Sequence, residues 1–213
     1  MRQELWGRDD LGVLVSQSLK VSMQVEQAVK KANGMLAFIA GGFEYRSRDV
    51  LQLYRALVRP HLEYCVQFWS PFLKKDVLAL EGVQQRFTKL IPGMTGLMYE
   101  ERLTRLGLFL LEFRRMRGDL IKTYKILTGL DRVDAGRIFS MVGESRTRGH
   151  SLRIQGRPFR MEVRRHFFTQ RVVSLWNSLP QEVVDAKTLN VFKRQLDIAL
   201  GMNRIKSYGR KQD

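Results

Sequence analysis

Apolar residues recur at helical spacing along most of this 213-residue chain, and that period restricts the fold more than any other feature. It is clearest in residues 110–127, where apolar side chains three or four positions apart line one side of a predicted helix. The same period predicts helices over residues 21–40, about 75–90, about 99–106 and about 164–179, and a last helix capped by Thr188. The predicted fold class is therefore mainly α, a helical bundle-like module.

Proline and glycine residues interrupt this pattern. Pro60 lies inside a helical stretch that starts near Arg48, with Ser47 as a candidate cap, so a kink or break is expected there. A short strand is predicted within residues 11–19, because they are apolar and β-branched. Residues 129–160 contain glycines too closely spaced for a long helix, which indicates loops or short strands.

These features divide the chain into five predicted segments. One arrangement compatible with them has two helical subdomains that meet near residues 129–145. The segments are an N-terminal extended segment (1–20), a helical region (21–128), a basic loop or short-strand region (129–160), a C-terminal helical region (161–201) and a disordered tail (202–213).

Positive charge is the unusual quantity in the composition. The chain carries 37 Lys and Arg against 21 Asp and Glu, a net charge of +16. Residues 111–213 hold 22 of the basic and 10 of the acidic side chains, so most of the excess lies there. Such a surface attracts phosphate backbones, with an anionic membrane surface as the competing polyanion. No apolar run is long enough for a membrane span or a secretory signal. We therefore expect an intracellular protein of the nucleus or cytoplasm, with no membrane partner.

Basic side chains form two tracks in this second half. On the predicted helix 110–127 they gather away from the apolar stripe, and between Glu144 and Arg171 the chain has eight arginines. The guanidinium group binds phosphate oxygens bidentately and stacks on bases, which favours a polyanion contact. The predicted nucleic-acid-binding residues are Arg114, Arg115, Arg117, Lys122, Lys125, Arg146, Arg148, His150, Arg153, Arg157, Arg160, Arg164, Arg165 and Arg171.

Three phenylalanines are interleaved with the second track, as a stacking surface for bases would need. Phe159 and Phe167 are candidates for that surface, whereas Phe168 lies on an apolar stripe and is assigned to the core. The alternative is that the phenylalanines belong to the core while the arginines form a solvated face or internal ion pairs. For His150 the alternative is an ordinary surface or packing position.

Residues that could perform chemistry are few. A polymerase-type metal site needs carboxylates held together, and Asp9-Asp10 is the one adjacent pair of aspartates, with no partner aspartate nearby in sequence. The histidines have no metal-ligand spacing. The single cysteine, Cys65, excludes a disulfide framework and a cysteine-based zinc site. The sequence predicts no catalytic residue, no metal ligand and no cofactor in this chain.

Nine phrases of the sequence, in order, resemble the C-terminal part of the reverse transcriptase of non-LTR retrotransposons, in particular the jockey and chicken-repeat type. The resemblance covers about residues 9–200. The phrases are DLGV at 10–13, KKANGML at 30–36, LYRALVRPHLEYCVQFWSP at 53–71, LEGVQQRFTKLI at 80–91, YEERLTRLGL at 99–108, EFRRMRGDLIKTYKIL at 112–127, TRGH at 147–150, FFTQRVVSLWNSLP at 167–180 and NVFKRQLD at 190–197.

The resemblance implies the thumb and the region after the palm of an RNA-directed DNA polymerase. In that family the catalytic aspartates lie in a palm, in an aromatic-X-Asp-Asp turn, and this chain has no such turn. Polymerase activity and Mg²⁺ are therefore expected only with the missing palm, and this chain is expected to bind RNA, DNA or an RNA–DNA hybrid. A protein-interaction module and a non-functional remnant of such an element are the alternatives.

Separation from a palm would expose apolar surface and favour self-association. The candidate residues for that surface are Leu53, Leu57, Tyr64, Phe68 and Trp69.

Overall fold

The computed structural model describes residues 8–16, 18–42, 49–143 and 149–201. This part of the chain is mostly helical with two small antiparallel sheets, so the predicted mainly-α fold class is confirmed. The chain divides into two compact units, Met1–Arg115 and Met116–Asp213, called unit 1 and unit 2 below. That division comes earlier in the chain than the segment boundary predicted at residue 128.

The described part of unit 1 begins with a β-hairpin. Strands β1 (Arg8–Asp10) and β2 (Val13–Val15) pair antiparallel. The intervening Leu11 and Gly12 have φ angles of 51° and 81°, the left-handed conformation that a two-residue hairpin turn uses. Strand β2 confirms the short strand predicted within residues 11–19.

The other described secondary-structure elements of unit 1 are helical. They are α1 (Ser22–Gly42), α2 (Asp49–Leu53), α3 (Arg59–Glu63), α4 (Val66–Trp69), α5 (Lys74–Leu90), α6 (Tyr99–Leu106) and the first residues of α7 (Leu111–Leu127). The bounds of α1, α5, α6 and α7 confirm four predicted helices to within about two residues. The candidate cap Ser47 lies outside the described residues.

The helical path through Pro60 contains a π-helical turn. This turn, Tyr54–Val58, joins α2 to α3 immediately before Arg59 and Pro60. Proline has no N–H, and its ring collides with the carbonyl four residues earlier in a regular helix. A wider turn gives that carbonyl room, so the expected kink or break takes the form of a local change in helical pitch.

The core of unit 1 forms where α1 packs against α5 and the segment around the π-helical turn. Tyr54 of that turn stacks on Phe87 of α5, with ring centroids 4.0 Å apart. The buried stripe of α1 follows the predicted helical period and comprises Gln24, Val25, Ala28, Ala32, Leu36 and Ile39.

The apolar residues expected at an exposed patch divide into three kinds. Trp69 is 1% exposed and its indole N–H donates to the Tyr64 carbonyl at 2.7 Å, so its assignment to the patch is wrong. A buried tryptophan needs such a partner for its N–H. Leu53 and Leu57 are partly buried against the core. Tyr64 and Phe68 are 57% and 59% exposed.

Unit 2 contains the rest of α7 and a series of short elements. They are α8 (Ala135–Ile138), β3 (Ser140–Met141), β4 (Ile154–Gln155), α9 (Glu162–Arg165), α10 (Phe168–Arg171), α11 (Val173–Asn177), α12 (Gln181–Val184) and α13 (Leu189–Ala199). Strands β3 and β4 pair antiparallel, which confirms short strands within residues 129–160. The Thr188 hydroxyl accepts from the Val191 N–H at 3.3 Å, so the predicted cap of α13 is confirmed.

The single helix predicted over residues 164–179 is wrong, because α9, α10 and α11 are separate short helices there. Phe167 leaves the helical conformation with a ψ of 146°. The carbonyl of the preceding His166 accepts a hydrogen bond from the Arg171 guanidinium at 2.9 Å. A side chain thereby satisfies a carbonyl at the helix break, a contact that an apolar period does not reveal.

The core of unit 2 is centred on Trp176 and Phe192, both fully buried. Tyr124 of α7 stacks on Phe192 with ring centroids 4.0 Å apart. This stacking joins α7 to α13 within unit 2. Among the described helices, none combines the length and the apolar character that crossing a membrane requires.

Candidate nucleic-acid interface

Arg114, on the part of α7 that belongs to unit 1, forms an ion pair with Glu63 of α3. Its Nε and Nη2 both donate to that carboxylate, Nη2 at 3.0 Å. Glu63 also lies 3.8 Å from the Arg59 guanidinium. The hydrogen bond to Glu63 raises the pKa of Arg114, which stabilises the charged pair. An internal acid thus holds Arg114, and its role in phosphate binding stays a prediction.

Arg115 is a buried side chain, 3% exposed. It follows Leu111 by four residues, so the two share one face of α7, and Leu111 is 0% exposed. Burial raises the pKa of the Glu81 carboxyl, and the positive charge of Arg115 opposes that rise. The surface position expected for Arg115 is therefore corrected to a buried one, where an external phosphate has no access.

The remaining basic residues of α7 also face acids, all within unit 2. Arg117 makes a bidentate pair with Asp197 of α13, at 2.5 and 3.0 Å. Lys122 and Lys125 share Asp131, at 2.7 and 2.6 Å. These pairs hold α7 against α13 and against the turn that follows α7. The basic face of this helix is present as predicted, but much of its charge is neutralised internally.

Asp131 contributes to the free energy of unfolding of unit 2, and this contribution is lost at low pH. Hydrogen bonds from Lys122 and Lys125 hold the pKa of Asp131 below its ordinary value of 3.8. A carboxyl with a lower pKa in the folded state stabilises that state above its unfolded pKa, and the contribution is lost as pH falls through the folded pKa. We expect Asp131→Asn to lower the unfolding midpoint at about pH 7 and to make little difference at about pH 2. Urea unfolding of both proteins at each pH measures this, and an equal difference at both would contradict it.

Arg171 lies in a largely buried ion pair with Asp119 of α7. Its Nε and Nη2 donate to the two carboxylate oxygens at 2.8 and 3.0 Å. The side chains are 18% and 8% exposed. The guanidinium also lies 5.9 Å from the centroid of the Phe168 ring, which packs in the unit 2 core as predicted. Arg171 therefore connects α7 to the α9–α10 region, and contact with nucleic acid stays a prediction for it.

His150 is also buried, at 3% exposure. Its Nε2 lies 2.9 Å from the Trp176 carbonyl oxygen, and its ring meets the indole edge-on at 5.7 Å. The prediction that His150 binds nucleic acid requires a surface position, and this is corrected: His150 packs in the interior of unit 2. Arg146 and Arg148 lie outside the described residues.

Three of the five arginines of residues 153–165, called the arginine segment below, are exposed. Arg157 and Arg160 are exposed. The Arg165 side chain is 67% exposed and lies 3.3 Å from the carboxylate of Glu162, which is also exposed. Such a pair holds its arginine weakly. Arg164 lies over the Phe167 ring, 4.9 Å from its centroid. The segment holds five arginines and one acid, and Arg157, Arg160 and Arg165 are the exposed residues among the predicted ones that the structure describes.

Gly149 and Arg153 lie against each other at the start of this region. Gly149 has a φ of 136°, and a Cβ atom there would come within 2.9 Å of the Arg153 Cδ. Because glycine has no Cβ atom, the aliphatic part of the Arg153 side chain can pack directly against residue 149. The Val142 N–H donates to the Arg153 carbonyl at 3.0 Å, which adds a backbone hydrogen bond beside the β3–β4 pair.

Unit 1 contains a buried polar cluster that the sequence reasoning missed. Gln84 donates to Glu81 at 3.1 Å and to Tyr99 at 3.0 Å, and the Leu111 N–H donates to Glu81 at 2.9 Å. Tyr99 also donates to Glu81. Burial raises the pKa of Glu81, and these hydrogen bonds oppose the rise. A signal was present, since Gln84 falls four residues after Leu80 on the apolar face of α5.

Within the described residues, no group of three or more potential metal-ligating side chains comes together. The side chains of Asp9 and Asp10 in β1 lie outside the description. Comparisons with protein-family models, curated proteins and solved structures found no match to this chain. The resemblance to a reverse transcriptase therefore stays a prediction.

Proposed function

We propose that this chain is a nucleic-acid-binding module, the C-terminal fragment of a retrotransposon RNA-directed DNA polymerase without its palm. It binds the backbone of RNA, DNA or an RNA–DNA hybrid without base specificity, in the nucleus or cytoplasm. The observation that carries the proposal is the arginine segment of unit 2, where Arg157, Arg160 and Arg165 are exposed and the one acid of the segment pairs weakly with Arg165. The paired cations of α7 support the fold and contribute less to binding.

Salt dependence tests this function. Each phosphate neutralised by a basic side chain releases counterions, so affinity falls with salt. If Arg157, Arg160, Arg164 and Arg165 each contact a phosphate of a duplex, a fourfold rise in salt should weaken binding roughly 150-fold. Fluorescence anisotropy with a labelled RNA–DNA hybrid measures this. An affinity that does not change with salt would rule the proposal out.

A matched pair of variants locates the contact. In the first, Arg157, Arg160 and Arg165 are replaced by glutamine. In the control, Lys187, Lys193 and Arg194 are replaced by glutamine, which removes the same charge from another part of unit 2. The first variant should lower the magnitude of the logarithmic salt slope by about 3, while the control keeps most of the wild-type slope. Equal losses in both would show that only the total charge matters.

A protein-interaction module is the second candidate, favoured by two observations. Basic side chains of α7 pair with internal acids, and Tyr64 and Phe68 of unit 1 are each more than half exposed. This candidate predicts that substituting the arginine segment changes nucleic-acid binding no more than the control substitutions do. The glutamine variants therefore discriminate between the two candidates.

A further inference from the structure

Phe159 is the aromatic residue of the arginine segment, and its ring is exposed to solvent. It is 43% exposed and belongs to neither hydrophobic core. No ring stacking or cation–π contact with the other described residues occupies it. Exposed apolar side chains are common singly, but this one lies between the exposed Arg157 and Arg160.

The two neighbouring phenylalanines are already engaged. Phe168 packs against the unit 2 core and meets Phe139 edge-on at 5.7 Å. Phe167 carries the Arg164 guanidinium at 4.9 Å from its ring centroid. Of the three phenylalanines interleaved with these arginines, Phe159 alone is classed as exposed and makes no ring contact with the other described residues.

The backbone that carries Phe159 is anchored to the rest of unit 2. The Gln170 side chain of α10 donates to the Arg157 carbonyl at 2.9 Å. Pro158 fixes its own φ angle and restricts Arg157. The Arg157 side chain donates to the Ser140 hydroxyl at 3.2 Å. An anchored aromatic loses less conformational freedom when a ligand stacks on it.

We propose that the arginine segment recognises single-stranded nucleic acid, with an unpaired base stacked on Phe159 and the flanking phosphates on Arg157 and Arg160. This inference depends on the proposed function and names the form of nucleic acid that the site prefers. Every base has an aromatic face, so stacking on Phe159 requires no particular sequence. In a duplex those faces are covered by neighbouring base pairs, and only the phosphate contacts remain.

The test compares single-stranded and duplex ligands at one salt concentration. The probes are a labelled 15-nucleotide oligothymidine and a blunt duplex of about the same length, each titrated by fluorescence anisotropy. Replacing Phe159 with alanine should weaken binding of the single strand about tenfold and change duplex binding less than about twofold. Phe159→Trp should keep the single-strand affinity. Met161→Ala is the matched control, because Met161 is a 61% exposed apolar neighbour without a ring, and it should change neither affinity.

The outcomes separate this inference from the proposed function. If Phe159→Ala weakens both ligands equally, or neither, base stacking on Phe159 is overturned while salt-dependent binding through the arginines stands. If Phe159→Trp binds the single strand as weakly as the alanine variant, stacking is overturned as well. If the wild-type chain binds neither ligand, the proposed function fails and this inference fails with it. Equal binding of polyglutamate would overturn recognition of nucleic acid as such.

Discussion

Replacing Gln84 with alanine is expected to lower the free energy of unfolding of unit 1 by about 4 kcal/mol. Gln84 is 0% exposed. Its Oε1 accepts from the Tyr54 hydroxyl at 2.8 Å, and its Nε2 donates to the Phe109 carbonyl at 2.9 Å. The substitution leaves both groups without this partner and opens a cavity beside Tyr54, which is itself 0% exposed. Each buried polar group left unsatisfied costs about 1–3 kcal/mol.

Gln85→Ala is the control for this prediction. Gln85 is the next residue of α5, is partly exposed, and contributes its backbone carbonyl to the bonds with Thr88 and Arg102. Truncating its side chain should change stability by less than about 0.5 kcal/mol. Native-state hydrogen exchange of peptides from α5 and α6 reports on unit 1. Similar protection in the two variants would contradict a stabilising role for the buried cluster.

Asp119→Ala is expected to destabilise unit 2 by about 3–5 kcal/mol. The substitution removes the carboxylate that holds the Arg171 guanidinium, and Asp119 is 6% exposed. A largely buried guanidinium then loses its acid partner, and that loss costs more than the pair itself contributes. Hydrogen exchange in peptides from α10 and α13 should rise well above the wild-type rate.

Two further variants make this test specific. Glu182→Ala removes the same charge from an exposed position of α12 and should change stability by less than about 0.5 kcal/mol. The double variant Asp119→Ala/Arg171→Ala completes a double-mutant cycle. Its total loss should be smaller than the sum of the two single losses, because the second substitution removes the guanidinium that has lost the Asp119 carboxylate. Additive losses would show that the two side chains are not coupled.

Local pattern predicted the long helices because their boundaries have local causes. Helix α6 occupies Tyr99–Leu106 as predicted, and the cap at Thr188 forms as predicted. The single helix over residues 164–179 failed, although no proline or glycine interrupts that stretch. Its break has a tertiary cause, since a carbonyl at the break bonds to Arg171, which is itself tied to Asp119 of α7.

The candidate interface was predicted only in part, because the pairing of its basic side chains also has a tertiary cause. Sequence identifies where cations are abundant, and the exposed arginine segment lies inside the predicted track. It does not identify which cations meet an acid. Arg114 and Glu63 are 51 residues apart, and Arg117 and Asp197 are 80 apart. Partners at such separations depend on the packing of whole helices, which a one-dimensional pattern does not contain.

The sequence by itself determined that the chain is mainly helical, strongly basic and without the aromatic-X-Asp-Asp turn of the family that we propose for it. Helical period, charge and the absence of a motif are properties of residues read one after another. Only the tertiary structure decided which basic side chains stabilise the fold and which remain accessible. Accessibility and ion pairing depend on side chains distant in sequence, which packing brings within a few ångströms of one another. That packing pairs the cations of α7 and leaves Phe159 exposed between Arg157 and Arg160.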